Sequence, residues 1–201
     1  MGRSDTNAKR GHLLDIAADR FLASGFSAVS VDELVASAGQ SKTNVYSWFG
    51  GKEGLFLATI DRLLDSMVVP LVDNGFASLP LSEGLHALAE AVLKIVLGKN
   101  ALALHRLIIG ESQAFPAIGR AWVVAGPERT YAFCADFMAV HQHAGRLRPA
   151  DPRRAAVFFH DMLTGDLEHR ILVGERPMPG AAERRKLIDA VIDVFTRGYA
   201  V

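Results

Sequence analysis

Apolar residues recur along this chain at intervals of three and four almost from end to end, the spacing that lines one face of an α-helix. Strict alternation is scarce, and no Asn-Gly or Asp-Gly pair joins two alternating runs as a hairpin would. The spacing predicts a first helix from about Lys9 to Ser24, with Leu13, Ile16, Ala17, Phe21 and Leu22 facing inward and Gly25 as a left-handed cap. Ser30-Val31-Asp32-Glu33 has the capping-box pattern, so a second helix starts there and reaches Ala38. Gly39 makes the turn, and Ser41 caps a third helix over about Lys42 to Phe49. Gly50-Gly51 break that helix, and Lys52-Glu53 open a long fourth one. Leu55, Phe56, Thr59, Ile60, Leu63, Leu64 and Met67 share its broad apolar face, and Pro70 ends or kinks it.

The pattern continues through helices near 82–97, 101–114 and 117–125. Gly126-Pro127-Glu128 restarts a helix that reaches about His143, with Pro at the first helical position and Glu in the first turn. Asp151-Pro152 caps another to about Leu172, and a last one spans about 182–198. The fold class is therefore all-α. A small helix-turn-helix head takes residues 1–56, the fourth helix links onward, and residues 57–201 form a larger helical domain. The loop DNGFASLPLS at 73–82 is the clearest break in composition.

Composition narrows the function. Of the 201 residues, half are apolar and 22% are charged, enough to build a substantial core and too few charges for a disordered chain. Basic and acidic residues balance at 22 each, so a nonspecific coat on nucleic acid is excluded and any DNA binding must be local. A single cysteine, Cys134, excludes an internal disulfide and a cysteine-based zinc site, and fits a buried thiol in a reducing cytoplasm. The polar N-terminal stretch does not read as a signal peptide. Arg62, Asp65, Glu90 and Lys94 interrupt the best apolar runs before membrane-spanning length, so no membrane partner is expected.

Residues 25–56 carry the chemistry. Val31, Leu34, Val35, Ala38, Val45 and Phe49 supply the apolar set that fixes two short helices at a steep angle. The third helix is then expected to expose Lys42, Thr43, Asn44, Ser47 and Trp48. Lysine suits guanine or phosphate, asparagine can bond adenine through two atoms, and a threonine methyl packs on thymine. Ser30 and Ser41, at the starts of the second and third helices, are DNA-contact candidates, Tyr46 and Trp48 offer polar hydrogens on flat rings, and Lys52 sits at the positive N-terminus of the fourth helix, a phosphate seat. Lys9, Arg10 and His12 form a basic arm. Across residues 1–56 six basic residues meet six acidic ones, so one head alone binds weakly and two copies are needed.

Residues 10–56 resemble the DNA-binding domain of the TetR family of transcriptional regulators. The resemblance rests on Phe21, Gly25 and Phe26, the Ser30-Val31 start, Ala38-Gly39, Ser41-Lys42, Tyr46, Phe49, Lys52-Glu53 and Leu55-Phe56. Residues 105–163 are similar to the AefR-like subgroup through HRLIIGE, FPAIGRAW, GPERT, GRLRPADPRRAA and FFHDML. The resemblance implies a helical ligand-binding and dimerisation domain, no catalysis, no cofactor, and release from a palindromic operator when a small effector binds. Val35, Gln40, Thr43, Ser47 and Trp48 depart from the family's usual residues, so base preference does not carry over.

In the larger domain, Met67, Phe76, His105, Glu111, Phe115, Trp122, Phe133, Phe137 and His160 are candidates to line an effector cavity. His141 and His143 lie two apart, on different helix faces, and make a poor metal pair. The last two helices carry apolar stripes, Phe159, Leu163, Leu167 and Ile171 on one and Leu187, Val191, Val194 and Phe195 on the other, which suit the two-fold interface of a homodimer. Two rivals remain. A helical protein-interaction module would share the fold without DNA contact. A serine hydrolase would use Gly110-Glu111-Ser112 as a nucleophile elbow, although Ala114 replaces its second glycine and no alternating strands surround it. Gly50-Gly51-Lys52-Glu53 is no phosphate loop, since Glu53 stands where Ser or Thr is needed.

Overall fold

The computed structural model describes residues 3–72 and 75–201, without the side chains of Arg3, Pro70, Leu71 and Val72. Asp73 and Asn74, which open the expected boundary loop, lie outside the described residues. In chain order the helices are α1 (Arg3–Ser24), α2 (Val31–Ala38), α3 (Lys42–Phe49), α4 (Lys52–Val72), α5 (Leu81–Val96), α6 (Lys99–Glu111), α7 (Pro116–Ala125), α8 (Pro127–His143), α9 (Pro152–Leu172) and α10 (Ala181–Tyr199). A short 3-10 turn at Phe76–Ser78 precedes α5. Among the described residues the extended pairing is a single antiparallel bridge between Leu147 and Ala200, so the all-α expectation holds.

Two boundaries differ from the sequence expectation. α1 begins at Arg3, because Asp5 and Lys9 pair at 2.8 Å one helical turn apart and carry the helix outward. The expected basic arm is therefore helical: Lys9 is tied to Asp5, and Arg10 lies 5.1 Å over the Phe49 ring. α4 runs through Pro70 to Val72.

The described residues form two compact units, residues 1–66 with 103–125 and residues 67–102 with 126–201. The first unit thus takes in a segment well beyond the expected head. Its core joins Leu13, Ala17 and Phe21 of α1 with Leu34, Val45, Leu55, Phe56 and Ile60, all buried. Phe21 and Phe56 meet edge to face at 4.7 Å, and Phe26 lies 4.9 Å from Phe56. Arg62 reaches from α4 to grip Asp15 of α1 through both carboxylate oxygens, at 2.7 and 3.1 Å. That guanidinium holds the Asp15 carboxyl below its usual range.

The second unit is built around α5, α8, α9 and α10. Leu85, Leu88, Val92, Phe137, Met138, Phe159, Leu163 and Phe195 are among its buried residues. Gly84 is needed there: a Cβ on it would stand 2.6 Å from the Phe137 ring. Cys134 is fully buried, and burial pushes its thiol up to about 12.

Two histidines of this unit respond to pH in opposite senses. His86 places Nδ1 2.8 Å from the Ser82 carbonyl and Nε2 3.0 Å from the Asp189 carboxylate, two acceptors that only an imidazolium bonds at once. The Ser82 carbonyl first, then Asp189, raises its pKa, so its stabilisation is full below about 6.5 and is lost as pH rises through the folded value. His141 is fully buried, and burial first, then the Arg146 charge, lowers its pKa from 6.5. The unfolded chain then takes up the proton more readily, so stability declines as pH falls below about 6.5. Thermal melts across about pH 5 to 8 should show His86→Gln flattening the alkaline side of the stability curve and His141→Leu the acid side. Unchanged curves in both variants would contradict these assignments.

Candidate nucleic-acid interface

α2 and α3 are short, so their ends decide whether they form. Ser30 caps α2: its hydroxyl accepts the Glu33 N–H at 3.2 Å, and the Glu33 carboxylate accepts the Ser30 N–H at 3.3 Å. Gly39 closes α2 at φ 60, a left-handed value that suits glycine. Ser41 caps α3 in the same way, accepting the Asn44 N–H at 3.2 Å. The two serine hydroxyls are therefore committed first to holding the helices, and both residues stay exposed beside them.

Fully buried Val45 is the pin of α3. With Val45 inward, Lys42, Thr43, Tyr46 and Ser47 face outward, and Tyr46 is 61% exposed. This corrects the expected reading face. Trp48 is half-buried, edge to face with Phe49 at 6.2 Å. Asn44 is half-buried as well, and its Nδ2 donates to Gln40 Oε1 at 3.0 Å. Tyr46, expected as a backbone contact, is the exposed aromatic of this helix.

Both lysines are already held. Lys42 Nζ meets Asp32 of α2 at 2.7 Å, and the exposed Asp32 carboxylate raises the lysine pKa. Lys52, the first residue of α4, donates to the Ser27 carbonyl at 3.3 Å and lies 4.5 Å over the Phe26 ring. An ammonium carries three protons, so a lysine held by one oxygen keeps protons for another.

The cavity candidates part company. His105 and Trp122 belong to the first unit and lie against each other at 4.6 Å with a 30° tilt. Glu111 and Phe115, also in that unit, are spent on the α1–α2 turn: Glu111 accepts the Phe26 N–H at 3.1 Å, and Phe115 meets the Phe26 ring at 4.8 Å. In the second unit Met67 is half-buried, Phe133 packs on Phe76 at 5.9 Å, Phe137 on His141 at 4.4 Å, and His160 on Tyr131 at 4.9 Å. The lining of an open cavity of about 430 Å³ in that unit includes Phe76, Ala91, Met178 and the charged Glu90, Lys94 and Arg184, and of the candidates only Phe76 reaches it.

The expected dimer stripes are corrected too. Phe159, Leu163, Leu167, Ile171, Val191 and Phe195 are all buried in the core of the unit, and Leu187 is half-buried against it. The most apolar stripe of each helix faces the protomer's own core. A second stripe faces out, with Phe158 50%, Met162 37% and Val194 60% exposed, and these three border a groove of about 430 Å³. The strand expected to enter Gly110-Glu111-Ser112 is instead helix α6, which Gly110 and Glu111 end.

Residues 13–59 match the family of bacterial regulatory proteins named for TetR. Residues 83–201 match the AefR-like transcriptional repressor C-terminal domain. The chain belongs to the TetR family. A TetR-family transcriptional regulator from Mesorhizobium loti superposes with a TM-score of 0.83 at 26% identity, over 100% of both chains. The flavonoid-responsive regulator FrrA reaches 0.83 at 30% identity, over 96% of this chain and 98% of its own. The transcriptional regulator RutR of Escherichia coli K12 is 35% identical over 65 residues, 32% of this chain and 31% of RutR. Among the described residues of this TetR-family chain, no helix is long and apolar enough to cross a membrane.

Proposed function

We propose that this protein is a cytoplasmic, homodimeric transcriptional repressor that binds a palindromic DNA operator and leaves it when a small, mostly apolar molecule binds the second unit. The observation that carries the reading is the α3 surface: Lys42, Thr43, Tyr46 and Ser47 point outward from a helix pinned by Val45 and capped by Ser41. A helix so exposed, with groove-suited side chains and a lysine at the next helix's N-terminus, is fit to enter the major groove and rest on phosphates. With charge balanced across the head, two heads must act together, and the outward stripe of Phe158, Met162 and Val194 suits the pairing surface.

Effector binding in the second unit reaches the head through α4, which runs unbroken from Lys52 to Val72. Coupling of about 1–3 kcal/mol would lower DNA affinity some 5- to 150-fold. FrrA is flavonoid-responsive, which makes flat polyphenols the first effectors to test here. The cavity of about 430 Å³ is within the size range of small-molecule sites.

The deciding experiment is selection of bound duplexes from a random pool by the full-length protein. An inverted repeat with half-sites about one helical turn apart, ~10 base pairs, is expected. Absence of any enriched sequence would overturn the reading.

A further inference from the structure

Glu111 is the last residue of α6, where a helix's free carbonyls disfavour a carboxylate and a basic residue would be at home. Its oxygens are turned instead to the α1–α2 turn, 85 residues earlier in the chain: Oε1 accepts the Phe26 N–H at 3.1 Å, and Oε2 faces the Ser27 hydroxyl at 3.4 Å. Phe26 is buried, and among the described residues its N–H has no backbone carbonyl to bond. Without Glu111 that donor is orphaned. The far side of the same dipeptide holds Lys52, whose Nζ takes the Ser27 carbonyl at 3.3 Å and rests 4.5 Å over the Phe26 ring.

The turn is thus gripped between a carboxylate and an ammonium, one at the end of α6 and one at the start of α4. Lysine has four rotatable bonds and is costly to fix in one place. Both surfaces that fix this one, the Ser27 carbonyl and the Phe26 ring, belong to the residues Glu111 holds. We propose that Glu111, which lies outside the helix-turn-helix, is a positioning residue for DNA binding: it sets the Phe26–Ser27 turn and, through it, the Lys52 ammonium against the phosphate backbone. This rests on the DNA-binding function proposed above.

The test compares Glu111→Gln, Glu111→Ala, Lys52→Ala and the Glu111→Ala/Lys52→Ala double variant, all full length, on the duplex that the wild-type protein selects from a random pool. Glutamine keeps an oxygen for the Phe26 N–H and should bind within a few-fold of wild type. Glu111→Ala should bind about tenfold more weakly, with its salt slope reduced by about one unit, as in Lys52→Ala. The Phe26 amide should exchange its hydrogen faster, and the double variant should be no weaker than Lys52→Ala. Glu111→Asp, one methylene short of the turn, serves where Glu111→Ala does not fold. Unchanged affinity in Glu111→Ala, an unchanged salt slope, a loss that adds in full to that of Lys52→Ala, or weaker binding without faster Phe26 exchange would each overturn the role of Glu111 and leave DNA binding standing. A wild-type protein that selects no duplex would remove the DNA reading, and this proposal with it.

Discussion

Gly54→Ala is expected to unseat the recognition helix: operator binding disappears and unfolding free energy falls by about 3 kcal/mol. A Cβ on Gly54 would stand 1.7 Å from the Phe49 carbonyl oxygen and 2.9 Å from its carbon. The obstacle is backbone, so no side chain can swing aside. Phe49 ends α3 and Gly54 lies in the first turn of α4, so relief requires the two helices to part. Moving α3 by even an ångström would displace Lys42 and Tyr46 from the major groove proposed for them. Gly110→Ala is the control. Its Cβ would meet nothing within 4 Å, and alanine in the last turn of α6 should leave stability level or up to ~1 kcal/mol higher. Denaturant midpoints and DNA titrations of both variants check the contrast. A Gly54→Ala protein with wild-type stability and affinity would show that the helices are not packed as described.

Phe158→Glu is expected to give a folded monomer with operator affinity reduced about 10²- to 10⁴-fold, the gain that linking two heads provides. Phe158 is 50% exposed and Val194 60%, so a charge there need not disturb the protomer. Across a two-fold axis the same substitution would place carboxylates on both faces of an apolar contact, where desolvation and repulsion act together. Its neighbour Phe159 behaves differently. Fully buried and 5.1 Å from Phe195, it should cost about 3–5 kcal/mol of stability as Phe159→Ala, through the cavity left in the core. Light scattering and thermal melts separate the two: one variant changes mass, the other melting temperature. A Phe158→Glu protein that remains dimeric would move the interface elsewhere.

That pair of residues also shows how far the sequence could be read. Helices were legible because apolar spacing, caps and glycine breaks agree locally; α2, α3 and α9 fall where Ser30, Ser41 and Asp151 place them. Which side of a helix faces its own core was not legible. Phe159, Leu163 and Leu167 form the stronger stripe of α9, and a stripe that meets a partner is buried by the same apolar character as one that meets the core. The reading face of α3 was legible in its residue types and less so in its orientation, because Asn44 spends its amide on Gln40 and Trp48 turns toward Phe49. Glu111 resembled a pocket residue because its partner, the Phe26 amide, is a backbone group 85 residues away, and backbone groups leave no trace in residue identity.

The first unit is assembled from two stretches of chain, residues 1–66 and 103–125, with part of the second unit threaded between them. A single crossover with a related regulator therefore cannot exchange one complete unit for another. Joining a foreign sensor after residue 66 would strip the head of Leu104, Ile108 and Ile118, which are buried in the native protein. An intact exchange needs three junctions, after residues 66, 102 and 125. Under single crossovers the two units should be inherited together, whereas engineered hybrids of this regulator should work when built with three seams and fail when built with one.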